Sequence, residues 1–254
     1  MAVTTASGKL SSRGKNQSRK RRKKLPVALP PLRDKHRLRR RHHRTKFRQR
    51  LRTETANSIT HGIGVGLSIA AMILLLIKSV NKAEALRITS AAIYGCCMVL
   101  VFLSSALYHS MMQPRARRLF LVLDHSAIFL AIAGTYTPLS LVLLRGPLGW
   151  SLLIIVWSLA IAGIFFKTRF INRFDFVSTL IYVVLGWMVL FVIRSLTAAM
   201  SSAGLYLFFA GGLVYTVGTI FYAWKGFQYH HMVWHLFVLA GAALHFLSLY
   251  LHVF

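Results

Sequence analysis

The chain has 254 residues, a mass of 28.7 kDa, a mean hydropathy of +0.55, 56% hydrophobic residues and a formal net charge of +27. A water-soluble globule does not combine that apolarity with that charge, so the two properties occupy different stretches and a soluble enzyme with one buried core is excluded. Residues 1–53 hold twenty of the 32 basic residues against one acid, Asp34, whereas residues 54–254 hold twelve against Glu54, Glu84, Asp124 and Asp175.

The first 53 residues contain SRKRRKK (Ser18–Lys24), a Pro-bounded LPVALPPL (Leu25–Leu32) and RLRRRHHRTKFRQRLR (Arg37–Arg52). Contiguous like charges repel and offer no apolar face to bury, so residues 1–53 are expected to form a disordered tail. Such runs suit nucleic acid or nuclear import in other settings. Beside a membrane domain they read instead as a topogenic cytoplasmic segment drawn to anionic lipid headgroups, with no specific nucleic-acid partner. The first long apolar segment starts only near Ile59, which argues against a cleaved secretory signal; basic blocks without amphipathic spacing argue against a transit peptide.

Beyond Ile59, apolar runs of spanning length recur at roughly 59–79, 88–110, 119–141, 149–166, 175–193, 203–223 and 232–253. The breaks between them are too short to fold independently. The expected architecture is all-α: a seven-transmembrane helix bundle over residues 54–254, preceded by the basic tail. Gly62, Gly64 and Gly66 are expected to permit close helix packing, and Gly134–Pro138 to bend the third span. Adjacent Cys96 and Cys97 read as small core residues with no disulfide framework.

With the tail inside, the inner loops carry Arg115, Arg117, Arg118, Lys167, Arg169, Arg173 and Lys225. The outer loops carry Lys78, Lys82, Arg87, Arg145 and Arg194. That difference is small, and the tail decides the expected orientation: N-terminus cytoplasmic, C-terminus outside.

Ionisable residues in a membrane helix cost about 2.5–3.5 kcal/mol each on insertion scales, so each needs a reason. Glu54, Asn57 and His61 open the first span at i, i+3 and i+7. Ser105 and His109 end the second at i and i+4, Asp124 and His125 lie near the start of the third, and His231 and His235 begin the seventh. A count of seven crossings puts all four groups on one membrane side whichever way the chain inserts. His231-x-x-x-His235 places two imidazoles one turn apart, a spacing that can chelate one metal ion or merely sit at the interface. His109 is a candidate third nitrogen, which leaves a fourth tetrahedral position for water, as at a catalytic zinc ion. Asp124 is a candidate second-shell acceptor or base, or else a partner of Arg117 or Arg118. Ser105 is placed to bond that water or Asp124, or to back-bond its own helix. Glu54, Asn57 and His61 take a supporting role. His125 lies about 100° round the helix from Asp124, and His245 and His252 lie too far along the last helix to join His235.

Together these residues resemble the hemolysin III family, the bacterial branch of the progestin and adipoQ receptor superfamily. The matching pieces are E-T-A-N-x-x-T-H-G (Glu54–Gly62), S-S-A-L-Y-H (Ser104–His109), D-H-S-A-I-F-L-A-I-A-G-T-Y-T-P (Asp124–Pro138) and H-x-x-x-H (His231–His235). The resemblance covers about residues 53–254 and omits the basic tail. It implies Zn²⁺ at the cytoplasmic end of the bundle, held by His109, His231 and His235, with Ser105 and Asp124 around the bound water. It also implies a bacterial inner membrane and one of two activities: lipid-amide hydrolysis, on a substrate such as a ceramide, or haemolysis. The expectation that follows is a zinc-dependent lipid amide hydrolase in membrane lipid homeostasis. The alternatives are a pore-forming cytolysin, a receptor-like sensor with structural zinc, and a haem-binding bundle.

Overall fold

The computed structural model describes residues 32–254, Asn172 excepted, and every regular element among them is helical. Seven helices are long and apolar enough to cross a membrane, matching the expected number. They are α1 (Leu32–Val80), α2 (Ala85–Ser110), α3 (Pro114–Leu144), α4 (Gly146–Arg169), α5 (Asp175–Ala199), α6 (Ser202–Ala223) and α7 (His230–His252). With no water in a bilayer core to satisfy peptide groups, continuous helices are what such apolar segments must form.

The start of α1 differs from expectation. It begins at Leu32 rather than near Ile59, so residues 32–53 are helical although the sequence reading gave them no fold. Residues 40–50 are exposed along this stretch. Arg, Lys, Gln and Leu are good helix formers, and extending a helix already formed costs far less than nucleating one. Solvated like charges therefore did not suffice to prevent the helix. Residues Thr45–Phe254 form one compact unit. The motifs in residues 1–31 lie outside the described residues.

Within the bundle, α2 lies along α3 and α6 along α7. Tyr94, Phe102, Phe129, Tyr136, Leu139, Val156, Leu196 and Leu249 form the buried core. Large apolar side chains also face outward along nearly every helix, among them Ile59, Ile73, Phe165, Phe176 and Phe191. That is the surface a bilayer covers.

Close packing depends on particular small residues. A Cβ at Gly163 would stand 2.5 Å from Cζ of Phe129, so only glycine lets α4 approach that ring. Gly64 meets the Phe102 ring in the same way, as expected. Gly62 and Gly66 do not, since nothing lies within 4 Å of either. Cys97 is buried beside Gly134, but Cys96 is exposed and is not a core residue; both are free.

Two helices depart from α geometry. In α3 the α-helical part ends at Pro138 and a π-helical turn follows over Leu139–Leu144. Proline removes one backbone donor and clashes with the preceding turn, which fits a departure from α geometry at this point of the span. In α5 a 3-10 stretch, Trp187–Val192, interrupts the helix. The buried hydroxyl of Tyr136 serves that break: it donates to the Gly186 carbonyl at 2.7 Å and accepts from the Val189 N–H at 2.8 Å. A backbone interruption is thus tolerated because a facing side chain re-satisfies it.

Candidate functional site

The N-terminal parts of the membrane-spanning segments of α1, α3 and α7, and the C-terminal end of α2, meet as the crossing count requires. They bring nearly all the candidate residues around one cavity of about 500 Å³. The ligand-type nitrogens of His109, His231 and His235 all lie within 4.8 Å of one another. His231 and His235 share a face of α7 one turn apart, with ring centroids 4.6 Å apart, and His109 reaches across from α2 at 5.1 and 5.0 Å from them.

The outward hydrogen bonds of these rings set their tautomers. Glu54 Oε2 lies 2.6 Å from His109 Nδ1. A carboxylate only accepts, so Nδ1 carries the proton and Nε2 turns its lone pair inward; that Nε2 is buried with no hydrogen-bond partner among the described residues. Likewise the Asn57 carbonyl accepts from His235 Nδ1 at 3.2 Å, leaving Nε2 of that ring as an acceptor. A carboxylate or carbonyl behind an imidazole, with the far nitrogen free, is how metal-binding histidines are oriented. Three imidazoles converging within a metal's reach fit a zinc ion.

Glu54 therefore holds the position that sequence reasoning offered to Asp124. Its second oxygen pairs with Arg117 Nη2 at 2.5 Å, and the guanidinium carbon stands 4.5 Å over the Tyr108 ring. Arg117 consequently pairs with Glu54 rather than with Asp124. Asp124 lines the cavity from α3, near His109, and Ser105 lines it from α2.

His61 is closer to the centre than a supporting role suggested. It is 4% exposed and stacks on His235 with ring centroids 3.5 Å apart and planes 18° apart. Neither of its ring nitrogens has a hydrogen-bond partner among the described residues. Asn57 is buried and supports His235 through its carbonyl; its amide nitrogen stands 3.4 Å from His109 Nδ1, whose proton goes to Glu54. His125 turns its Nδ1 to the Leu121 carbonyl at 2.9 Å and sits beside Asp124 without joining the triad.

Sequence reasoning missed three contributors. Thr60 Oγ1 lies 3.3 Å from His235 Nδ1. Arg117 and Tyr108 complete the shell behind His109. Thr60 was visible as the threonine of E-T-A-N-x-x-T-H-G, whereas no spacing in the chain links Arg117 to Glu54.

The cavity continues from the triad past Met98, Val101 and Ile132 toward Trp187, Phe208 and His245. Polar at one end and largely apolar along its length, it has the shape of a site for an amphiphile. Asp175 also lines it, held by buried Lys167 at 2.8 Å.

Comparison with known proteins adds the following. A family profile described as "Haemolysin-III related" matches residues 49–246. "Hemolysin-3" of Bacillus cereus is 46% identical over 82% of this chain and 95% of its own length. "Hemolysin-3 homolog" of Bacillus subtilis (strain 168) is 49% identical over 76% of this chain and 91% of its own. The human "Monocyte to macrophage differentiation factor" is 26% identical over 78% and 84%. No solved structure matches the chain.

Proposed function

Since the chain belongs to the haemolysin III family of multi-pass membrane proteins, we propose that it is a zinc-dependent hydrolase acting on a membrane lipid amide. The observation that carries the reading is a triad of imidazoles opening onto a cavity that is apolar along most of its length.

His109, His231 and His235 would hold the ion. When bound, zinc supplies a Lewis acid for a carbonyl and lowers the pKa of water. The chain's own residues do the rest. Glu54 and Asn57 lock the His109 and His235 tautomers, so that no proton competes for the inward nitrogens. Ser105 holds the Asp124 carboxylate toward the triad. Asp124 takes a proton at its carboxylate during attack on the carbonyl and returns it to the leaving amine nitrogen. The apolar walls below the triad take the acyl chain and exclude water from it. A lipid arriving laterally from the bilayer meets the site without leaving the membrane.

Amide hydrolysis by detergent-purified protein is the direct test. Activity that disappears in His235→Ala supports the mechanism, and activity unchanged by that substitution overturns it.

His61 favours a second reading. A fourth buried imidazole, stacked on His235 and without a hydrogen-bond partner among the described residues, suits a site that holds its ion for structure, which would make the protein a sensor. Zinc-replete protein inert on a panel of lipid amides would favour it. The name of the Bacillus cereus relative points to cytolysis, and dye leakage from liposomes carrying the protein would support that instead.

The Lys/Arg distribution supports a cytoplasmic N-terminus, an outer C-terminus and contact of the basic tail with anionic headgroups, and the Bacillus relatives support a bacterial inner membrane. Protease accessibility of the tail in inverted and right-side-out vesicles tests the orientation.

A further inference from the structure

His245 lies one rise of about 15 Å along α7 from His235, well inside the apolar part of the bundle. It is 9% exposed, lines the far end of the cavity, and takes no part in the chemistry above. Its ring is held rigidly: it stacks on Phe208 with centroids 4.6 Å apart and planes 8° apart, and the Tyr215 ring stands edge-on at 5.4 Å. Gly211 makes room for it, since a Cβ there would come within 2.8 Å of Nε2.

The polar atoms are the informative part. The Phe208 carbonyl lies 3.0 Å from Nε2. A carbonyl only accepts, so Nε2 carries the proton and Nδ1 is a bare lone pair. Nδ1 has no partner among the described residues. Nearby, Trp187 Nε1 donates to Thr216 Oγ1 at 3.0 Å, so that donor is already spent. An ionisable side chain at this depth is costly and marks a functional position by default. A fixed acceptor with nothing opposite it calls for a donor from the ligand.

We propose that the far end of the cavity is a recognition subsite for a hydroxyl carried part-way along an acyl chain, with His245 Nδ1 as its acceptor. The inference rests on the lipid reading of the cavity and not on hydrolysis. A hydroxylated chain satisfies Nδ1 without leaving the apolar channel. A plain chain leaves it unpaired, which selects between lipids that differ in one oxygen.

The test uses purified protein in nanodiscs and competition against a fluorescent fatty acid. The competitors are stearate and a series of hydroxystearates with the hydroxyl walked along the chain. The expected result is one preferred mid-chain position, bound roughly threefold to tenfold more tightly than stearate. His245→Leu and His245→Phe both remove the acceptor; the preference should flatten in both while stearate still competes. A series with no positional preference in the wild-type protein overturns the inference, whether or not either variant folds, and so does a preference that survives in a folded variant. A preferred position in a protein that turns over no lipid amide overturns the hydrolase reading alone; a flat series with turnover intact overturns this inference alone.

Discussion

The two ends of the bundle are built from the same residue types and treat them oppositely. At the end opposite the histidine triad, Glu84 bonds Arg87 Nε and Arg145 Nη2, both at 2.5 Å. Arg87 also donates to the Val253 carbonyl at 2.6 Å, and Lys78 donates to the Tyr250 carbonyl while its ammonium stands 4.4 Å over that ring. His252 shares a hydrogen bond with Ser201 at 2.8 Å. Each of these groups ties one helix end to another, and each has its partner. At the triad end the pairing is equally careful behind the rings and missing in front of them. Glu54, Arg117 and Asn57 are used, yet His109 Nε2 and both nitrogens of His61 are buried without partners among the described residues. Leaving a buried polar group unpaired costs about 1–3 kcal/mol. Histidines and ion pairs at a helix end therefore do not indicate a site; unspent lone pairs behind fully satisfied supports do.

The contrast can be broken most sharply at the triad. His109→Ala, His231→Ala and His235→Ala should each abolish stoichiometric zinc, about one ion per chain measured by metal analysis, together with amide hydrolysis. His252→Ala at the other end should leave zinc content unchanged. Zinc retained in all three triad variants would remove the distinction between the ends. Next in size, Asp124→Asn should lower turnover by about 10²- to 10⁴-fold while zinc content stays at the wild-type level. Simultaneous loss of metal would instead make Asp124 part of the metal's support. Glu54→Gln should weaken zinc binding by about 10- to 100-fold in competition with a chelator, because a neutral amide holds the His109 ring less firmly. Full retention of affinity would place the orienting role elsewhere.

The smallest effect belongs to the opposite end. Its arginine partners, Arg87 first, hold the Glu84 carboxyl below its usual range. A lowered carboxyl pKa contributes stability above the unfolded-state value, and that contribution is lost as pH falls through the folded-state value. Glu84→Gln should therefore differ slightly in Tm from the wild type at neutral pH and converge with it in acid. An exposed pair of this kind is weak. A large neutral-pH loss of Tm would show that this end matters more to folding than its exposure suggests.

Much of this contrast was legible beforehand. Parity of crossings alone grouped Glu54, Asn57, His61, Ser105, His109, Asp124, His231 and His235 at one end, and the spacing of His231 and His235 marked a pair that could chelate a metal ion. The division of labour among the carboxylates was not legible. Asp124 was the deeper acid and drew the orienting role, but Glu54 stands behind His109 because α1 and α2 meet there. Nor was the start of α1 legible, since a run of like charges argues against burial and says nothing against a solvated helix.

Segment count, the common depth of the polar residues and the candidate ligands all followed from hydropathy and helical period, because a bilayer leaves an apolar segment no alternative to the helix. Rotation of each helix about its own axis was settled only by packing. Gly163 against Phe129, Gly211 against His245 and Tyr136 against the break in α5 set which faces meet. Those rotations decide that His61 stacks on His235, that Arg117 pairs with Glu54, and that His245, set aside as too distant for the triad, lines the far end of the same cavity. Linear spacing fixes neighbours along one helix; contacts between helices depend on shape, which no single segment carries.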